Sequence, residues 1–435
     1  MYGFALRRPV VLSQSRIIVP SAFNAPDWVL SGANVDLDFA GNRYWDGDNQ
    51  VSLAALATCS RASIGYATTA DGNLVQFPVN AIRVTTKGLL VEEARTNLLL
   101  QSQTLDNATW NKTRSSITAN VATAPDGTVT ADKLVEDTSG GSFDVNQTVT
   151  KAASSLPYTY SFYAKAGERT RTDPIVGNAG GGFFVVFDIS GGQAVNSGNF
   201  GTGWTLTSTG VELLAGGWRR CWMTGTTDAG TDINAKNELD NGTGSAAISD
   251  GYAGDGASGL YLWGAQLEQA SFPTSYIPTT GATVTRAADV VRGSGSLQST
   301  IAPGSVFSVA IQMDGMPGAA GLGYKTLLNP GTDATIDYLY TPPSDNTQVR
   351  DTSAASTLNA SAAGQSTSMP FGTALGCNAL GRSLVMSGGT PASDSVAWTG
   401  GDSTPVYIGS GLASIEFTNA YMRRISAWNA RLPDA

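Results

Sequence analysis

The sequence predicts an all-β protein: tandem β-sandwich or jelly-roll domains with an irregular N-terminal arm. Charged residues make up only 14% of the 435-residue chain, whereas soluble domains typically have about 25%, and 51 residues are glycine. Apolar residues occur in short runs, often at a period of two, and no helical period is visible. These features are typical of strands joined by many turns. The length allows about three domains of ~150 residues each.

Residues 1–55 are irregular, because Pro9, Pro20 and Pro26 interrupt their short apolar pieces. We interpret them as an extended arm that docks on another protein; a plain N-terminal strand folded onto its own domain is an equal alternative. Residues 56–104 are predicted to form a linker of short strands and turns, with Asp71-Gly72 as a turn signal.

Residues 105–292 have strands at the spacing expected for a jelly roll. Residues 158–163 and 218–223 alternate at a period of two, and residues 183–187 predict a buried strand. The glycine-rich residues 177–182 lack the lysine of a phosphate loop and are predicted to form a turn. The polar residues 228–259 are predicted to form a long loop, the kind of segment where binding tends to occur.

Residues 293–435 predict a second sandwich. It begins after a flexible junction at 293–296, and residues 305–313 alternate like a half-buried strand. Residues 351–368 are rich in Ser, Ala and Thr and are predicted to form a loose loop. Residues 423–428 predict the last strand. The predicted domains are therefore 1–55, 56–104, 105–292 and 293–435.

The chain contains no histidine, which excludes Ser-His-Asp and Cys-His catalysis and every histidine-ligated metal site. The net charge of −9 argues against nucleic acid or an anionic membrane as partner. No apolar run approaches the ~18 residues of a membrane helix, so we expect no membrane insertion. Cys59, Cys221 and Cys377 are far apart and are predicted to be buried and unpaired.

Two ordered sets of motifs stand out in the first two thirds of the chain. The first set is Arg61-Ala62-Ser63, Asp71-Gly72, residues 88–99, Trp110 and Pro125-Asp126-Gly127; the second is residues 263–268, 273–281 and 285–289. Together they resemble a module of bacteriophage and prophage virion proteins, often tail fibres or tail-associated proteins, that brackets a carbohydrate-binding-like jelly roll. The resemblance covers about residues 60–290. Residues 422–434 are similar to the end of concanavalin-like or laminin-G-like sandwiches.

The resemblance implies a virion protein, assembled in the cytoplasm of the bacterial host, with glycan contact. Members often carry the module in longer chains with a β-helix or a fibre-folding domain, whereas here one more sandwich follows. Location on the head or on the tail therefore stays open.

Sugar binding needs a flat aromatic face for the C–H surface of the sugar and polar side chains for its hydroxyls. Trp218 and Trp222 share a predicted strand face with Arg220 between them, and Trp204 and Tyr252 lie in glycine-flanked loops. These five residues are the predicted carbohydrate-binding residues. The alternative for each tryptophan on a strand is a place in the sandwich core.

Carboxylates in the polar stretch could in principle hold calcium: Asp228, Asp232, Asp240, Asp250 and Asp255, with Asp46, Asp48 and Asn49 as a second set. Neither set fits an EF-hand loop, so solvated turns are favoured, and we predict no metal and no cofactor. Glu92 and Glu93 are adjacent and would point to opposite faces of a strand, so they could not flank a glycosidic bond. No catalytic residue is predicted.

Three functions follow from these observations. The first is a non-enzymatic phage fibre or spike subunit, predicted to be a homotrimer, that docks on other virion proteins through its arm and binds host-surface carbohydrate. The second is a structural head-decoration or tail-connector protein. The third is a polysaccharide depolymerase.

Overall fold

The structure is a computed structural model, and it describes most of the chain as far as residue 313 and separate segments beyond. The described residues are 29–242, 251–301, 306–313, 325–331, 334–341, 346–353, 356–363, 371–378, 381–386, 392–395, 406–410 and 419–432. Strands dominate them, which confirms the predicted all-β sandwich class. No helix in these residues has the length and apolar character needed to cross a membrane.

The strands are numbered along the chain. The first nine are β1 (Val35–Asp38), β2 (Arg43–Trp45), β3 (Gln50–Val51), β4 (Ala57–Ser60), β5 (Gly65–Thr68), β6 (Leu74–Phe77), β7 (Arg83–Thr85), β8 (Gly88–Val91) and β9 (Arg95–Asn97). The next nine are β10 (Asn111–Thr113), β11 (Ser115–Ala122), β12 (Ala131–Glu136), β13 (Gly140–Gly141), β14 (Asp144–Thr150), β15 (Pro157–Lys165), β16 (Arg171–Thr172), β17 (Ile175–Asn178) and β18 (Gly181–Asp188).

The remaining strands follow in the same order. They are β19 (Gln193–Gly201), β20 (Thr205–Leu213), β21 (Trp218–Thr226), β22 (Asp232–Asp240), β23 (Tyr252–Ala253), β24 (Gly259–Glu268), β25 (Val284–Arg286), β26 (Val290–Gly293), β27 (Phe307–Met313), β28 (Lys325–Gly331), β29 (Ala334–Thr341), β30 (Asn346–Ser353), β31 (Ser356–Ala363), β32 (Phe371–Asn378), β33 (Gly381–Met386), β34 (Ala392–Asp394), β35 (Tyr407–Ile408) and β36 (Ala420–Trp428). Short helices lie at α1 (Leu53–Leu56) and α2 (Gly295–Thr300), with a 3₁₀ turn at Ala215–Gly217.

The chain forms two compact units, each assembled from separated segments. Unit 1 comprises Met1–Arg61, Ala81–Glu93 and Ala288–Ala435, and unit 2 comprises Ala62–Asn80 and Ala94–Ala287. This differs from the contiguous domains expected from the sequence. The predicted linker at 56–104 is divided between the units, because β4, β7 and β8 pair with strands of unit 1 while β5, β6 and β9 belong to unit 2.

Unit 1 is a sandwich of two antiparallel sheets. Within the described residues, sheet 1 has the order β3-β2-β1-β36-β27-β32-β33-β34, with β8 beside β36 and β7 beside β8, and sheet 2 has the order β31-β30-β29-β28-β35-β26-β4. Leu37, Ile311, Leu328, Ile408 and Ile425 are fully buried in the core between them. The predicted alternation at 305–313 is confirmed: Phe307, Val309, Ile311 and Met313 all point into this core.

Part of the predicted N-terminal arm is an integral strand of unit 1. Residues 35–38 pair antiparallel with residues 424–427 near the end of the chain, and Asp36 accepts a 2.8 Å hydrogen bond from Arg424 Nε. Val35 and Leu37 are fully buried, so this stretch contributes core rather than a docking extension. Of the rest of the predicted arm, residues 1–28 lie outside the described residues, while β2 and β3 belong to sheet 1.

A buried ion network fastens the three segments of unit 1 together. Arg61 Nη1 donates to Asp289 Oδ1 at 2.6 Å, and Arg83 Nη1 lies 2.8 Å from Glu92 Oε2. Arg83 also bonds the second oxygen of Asp289, which in addition accepts the Glu92 backbone N–H at 2.9 Å. Three of these residues belong to the motifs that carry the resemblance. They therefore serve packing, since all four side chains are buried.

Unit 2 is a second sandwich, built around a core rich in aromatic residues. Sheet 3 has the order β10-β14-β22-β16-β18-β17 in the described chain, with β19 on β18 and an added β17–β22 pairing. Sheet 4 has the order β11-β12-β24-β15-β21-β20. Tyr160, Phe162, Phe183, Val185 and Phe187 fill the space between them, which confirms the predicted alternation at 158–163 and the buried strand at 183–187.

The hairpin β5–β6 covers the outer face of sheet 4. Its Tyr66 and Leu74 pack with Trp218, Trp263 and Tyr276 in a second, smaller core. The predicted Asp71-Gly72 turn is confirmed, with Gly72 at φ 83°, a conformation that favours glycine. Sheet 4 is therefore covered on both faces, whereas this hairpin leaves sheet 3 untouched.

Asn97 joins the two motif sets at their centre. Its buried side chain donates to the carbonyls of Ala265 and Ile277 at 3.1 and 2.9 Å and accepts from the N–H groups of Leu99 and Leu267 at 3.1 Å. All of these partners lie in the motif segments or beside them. In unit 2, as in unit 1, the residues of the resemblance hold the frame together.

Three predicted loop regions differ from the structure. The stretch 228–259 contains β22, which is a central strand of sheet 3, and its residues 243–250 lie outside the described residues. The stretch 351–368 contains all of β31, which pairs along its length with β30, and its residues 354–355 and 364–368 lie outside the described residues. The junction at 293–296 leads from β26 directly into α2. The predicted turn at 177–182 is confirmed as the β17–β18 hairpin.

Candidate functional site

The outer face of sheet 3 carries an open groove with a volume of about 480 Å³. Strands β14, β17 and β22 form its floor, and Asn178, Ala179 and Phe200 stand at one side. The groove exists because strand side chains alternate: Val145 and Ile233 point into the sandwich core, so their neighbours on the same strands point outward.

The pairing register aligns the outward residues into two rows across the sheet. The first row is Asn146, Lys236, Ile175, Phe184 and Gly198, each directly opposite the next on the neighbouring strand. Asn146 and Lys236 are half-buried, whereas Ile175 and Phe184 pack together in a small apolar cluster. This row therefore changes from polar to apolar across the groove.

The second row is Thr148, Asn234, Gly177, Gly182 and Phe200. A Cβ atom at Gly177 would lie 2.4 Å from the Gly181 carbonyl oxygen, and one at Gly182 would lie 2.7 Å from the Val176 oxygen. Any side chain at either position would collide with backbone. The two middle positions of the row therefore carry no side chain, and the Phe200 ring lies over Gly182 with 37% of the residue exposed.

Amide side chains in the groove are held by one another. Asn234 Nδ2 donates to Asn146 Oδ1 at 3.0 Å and to Thr148 Oγ1 at 2.9 Å, and Asn146 Nδ2 donates to Asp144 Oδ1 at 2.7 Å. At the rim, Asn178 Nδ2 donates to Asp228 Oδ2 at 3.0 Å. These bonds fix the amides in place before any ligand arrives, which lowers the entropy cost of binding.

Carboxylates dominate the electrostatics of one end. Lys236 Nζ lies 2.7 Å from Glu238 Oε2, and Glu238, only 1% exposed, pairs with Asp144 across β14 and β22. Burial raises the pKa of Asp144; the hydrogen bond from Asn146 and the charge of Lys236 offset only part of this rise, and the charge of Glu238 adds to it. Asp232 is exposed and lies at the opposite end of the β14–β22 pairing from Asp144.

Two of the predicted sugar-binding tryptophans are core residues. Trp204 is 2% exposed and packs against Phe183 between the sheets, with ring centroids 6.1 Å apart. Trp218 is also 2% exposed, lies under the β5–β6 hairpin, and donates its indole N–H to the Thr123 carbonyl at 2.9 Å. Neither ring offers a free face, so the predicted aromatic platform is absent from both positions.

The other three predicted residues are also engaged. Arg220 is buried, bonds the Thr274 carbonyl and lies 5.6 Å from the Tyr163 ring. Trp222 is half-buried, because its indole lies over Gly210 of the neighbouring strand. Tyr252 donates its hydroxyl to Glu136 Oε2 at 2.5 Å. None of the five predicted residues lines the groove.

The acidic residues considered for calcium mostly organise turns. Asp228, Asp240 and Asp255 each accept backbone N–H bonds from residues two or three positions later, and Asp46 accepts from Asp48 and Asn49. Asp232 lines the groove, and Asp250 lies outside the described residues. Among the described residues, no group of three or more acidic or cysteine side chains could hold a metal ion.

The cysteines follow the prediction in part. Cys221 and Cys377 are buried and Cys59 is half-buried, and all three are free thiols. Burial raises the pKa of Cys59 to about 11, with the charge of Asp289 acting in the same direction, so the thiol stays protonated at neutral pH.

The sequence analysis did not predict the groove residues, although alternating polar and apolar residues on β14 indicated a strand with one exposed face. In β14, Asp144, Asn146 and Thr148 alternate with Val145, Gln147 and Val149, which is the pattern of a strand with one wet face. In β22 the same pattern is weak, because Ala235 and Asn237 occupy inward positions. Phe200 follows Asn199 in a stretch without apolar neighbours, which could have indicated an exposed aromatic residue.

No protein-family model matches the chain, and no curated protein matches it. Among solved structures, domains LG4-5 of the mouse laminin alpha1 chain are similar to it. The two are 10% identical, the alignment covers 80% of this chain and 90% of that chain, and the TM-score is 0.20. Agreement at this level carries no argument about function, so the functional conclusion rests on the groove.

Proposed function

We propose that the groove of unit 2 binds carbohydrate, and that the protein is a non-enzymatic adhesin of a phage virion that attaches to a host-surface glycan. The observation that carries the proposal is the second row of the groove. It places Thr148 and Asn234, the side-chain-free Gly177 and the partly exposed ring of Phe200 side by side. The virion setting comes from the sequence resemblance and is part of the proposal.

Each part of the row matches one property of a sugar. A pyranose has an apolar C–H face, which packs on an aromatic ring such as Phe200. Its hydroxyls pair with amide and hydroxyl groups, which Asn146, Asn234 and Thr148 supply. Gly177, which lines the groove between Asn234 and Phe200, carries no side chain that would keep the sugar away from the sheet. The groove is open to solvent, so affinity for one sugar chain would be weak.

Weak single-site binding is useful when several copies act together, because linked sites raise the effective concentration. A homotrimeric fibre or spike with other virion proteins as partners is the arrangement we propose. The N-terminal residues that would dock on those partners lie outside the described residues.

The test is binding of the purified protein to a glycan array and to host cells, with Phe200→Ala and Asn234→Ala as variants. Saturable binding is expected for the wild type, with at least a tenfold loss in each variant. Val195→Ala is the matched control, because Val195 lies on the same strand with the same 37% exposure but does not line the groove. Equal binding by Phe200→Ala and the wild type would refute the groove as the site.

One observation favours a structural connector instead. Trp204 and Trp218, two of the four aromatic residues predicted to bind sugar, are buried in the cores of unit 2. A folded protein that assembles with virion parts and binds no glycan on the array would support this second role.

A depolymerase is the third candidate, favoured by the closeness of two carboxylates. Asp144 and Glu238 are directly paired on adjacent strands, where Cβ atoms lie about 5 Å apart. Glu238, however, is 1% exposed and is bound to Lys236, so a substrate could not reach it in this conformation. Release of new reducing ends from a bound glycan, lost in Glu238→Gln, would establish hydrolysis.

A further inference from the structure

We propose that the groove discriminates by charge: it rejects acidic glycans and prefers a glycan with free amino groups to its uncharged counterpart. This inference rests on the proposed carbohydrate-binding function and adds the class of ligand. It follows from which charges at the groove are neutralised by a partner and which are not.

The positive charges near the groove are already occupied. Lys236 Nζ lies 2.7 Å from Glu238 Oε2. Lys151 has no exposed side-chain surface, lies 3.8 Å from Asp228 Oδ1, and donates to the carbonyls of Asp228 and Gly230 at 2.8 and 2.5 Å. An incoming carboxylate or sulfate would have to compete with protein carboxylates for either ammonium group.

Arg171, farther along the sheet, is placed between acids. It lies directly opposite Asp188 on β18 and Asp240 on β22. Its positive charge is therefore balanced on both sides, and it adds no net attraction for an anion.

Among the described residues, the two carboxylates that line the groove form no ion pair, and the charge of Lys236, which is bound to Glu238, offsets that of Asp144 only in part. Asp144 accepts a hydrogen bond from the neutral amide of Asn146. Asp232 is exposed and lies at the opposite end of the β14–β22 pairing. The charges of Lys236 and Glu238 cancel, as do those of Lys151 and Asp228. Asp144 and Asp232 therefore leave a negative potential around Asn146 and Asn234, where the sugar hydroxyls would lie.

Fixed charges a few ångströms from a ligand act strongly at low salt and weakly once the Debye length shortens. An acidic group on a bound sugar should therefore weaken binding by about tenfold at low salt, and an ammonium group should strengthen it by a similar factor. Both effects should shrink as salt is added.

The experiment uses the full chain. A glycan array with neutral, amine-bearing and acidic glycans is first read at low salt. The strongest neutral glycan is then compared, by calorimetric titration at low and high salt, with two derivatives. In one derivative the primary hydroxyl is oxidised to a carboxylate, and in the other it is replaced by an amine.

We expect the amine derivative to bind more tightly than the parent and the carboxylate derivative about tenfold more weakly at low salt. Asp232→Lys, at an exposed position, should reverse the order, and Glu212→Gln, which removes a charge from sheet 4, should leave it unchanged. Acidic glycans that bind as well as neutral ones, or an order unchanged in Asp232→Lys, would overturn the charge inference while the carbohydrate function stands. The absence of binding to every glycan on the array would overturn the proposed carbohydrate-binding function itself.

Discussion

Tyr252 joins three segments of unit 2 through one ring and one hydroxyl. The ring packs on Phe143 with centroids 4.8 Å apart and lies under the Arg169 guanidinium at 5.1 Å. The hydroxyl donates to Glu136, which also accepts from Arg169 Nε at 2.8 Å. Burial alone would raise the pKa of Glu136, but the hydrogen bonds from Arg169 and Tyr252 outweigh it and hold that pKa below its ordinary value.

Tyr252→Phe should therefore destabilise unit 2 by about 1.5–3 kcal/mol at pH 7, since it removes a hydrogen bond to a charged group. The folded-state pKa of Glu136 is lowered, so its contribution is complete above the unfolded pKa of about 4.3 and is lost as the pH falls through the folded value. Urea unfolding of both proteins should show the difference at pH 7 and its decline below about pH 4.

The control for this prediction is Tyr261→Phe, because the Tyr261 hydroxyl has no carboxylate partner in the described residues. A gap between wild type and Tyr252→Phe that stays constant from pH 7 to pH 3 would contradict the role assigned to Glu136.

At the scale of elements, the β5–β6 hairpin determines which outer sheet face of unit 2 is shielded from solvent. It buries the outer face of sheet 4, including Trp218, and leaves the face of sheet 3 to solvent. The hairpin itself is small and depends on few apolar contacts, principally those of Tyr66 and Leu74. Two-stranded hairpins are marginal alone, so its position relies on this packing.

Leu74→Ala should cost about 2–5 kcal/mol of unfolding free energy, the range for a buried leucine. The exposed Val75 on the same strand gives the matched control Val75→Ala, which should change stability by less than about 0.5 kcal/mol. Denaturant unfolding followed by tryptophan fluorescence measures both, because Trp218 and Trp263 lie beneath the hairpin. Equal losses in the two variants would contradict the covering role of Leu74.

The strand β22 shows why part of the site could not be predicted from the sequence. Strands such as β15 and β27 were predictable, because large apolar or aromatic side chains occupy most of their inward positions. In β22 the inward residue Asn237 is polar. It is buried, and its side-chain amide donates a 2.6 Å hydrogen bond to the Tyr160 hydroxyl. The alternation is therefore weak in the sequence, and the strand that supplies three of the eleven groove-lining residues resembled a loop.

At the scale of the whole molecule, each unit is assembled from pieces that are distant in sequence. The fold class followed from composition and alternation, which are local properties. The division into units depends on pairings such as β1 with β36, and no local pattern encodes such a partner. The buried positions of Trp204 and Trp218 likewise depend on which segment covers them.

The two units should respond separately to core mutations. Ile425 is fully buried in unit 1, opposite both Leu37 and Ile311, so Ile425→Ala should destabilise that unit by about 2–5 kcal/mol. Glycan binding by unit 2 should persist in this variant, whereas Leu267→Ala, in the core of unit 2, should lower the temperature at which binding is lost. Calorimetry combined with binding measurements tests this; loss of binding in Ile425→Ala at 25 °C would contradict it.

The pairing of β1 with β36 has a consequence for how the chain is made. During synthesis on the ribosome, both segments of unit 2 are complete once residue 287 has emerged, so its sheets can close early. Val35–Asp38 must wait for Ala420–Trp428, which emerge only after all of unit 2. Until then, the apolar side chains of Val35 and Leu37 have no β36 to pair beside them. β1 is thus made early but paired late, and the nascent chain carries that unfinished edge until β36 has emerged.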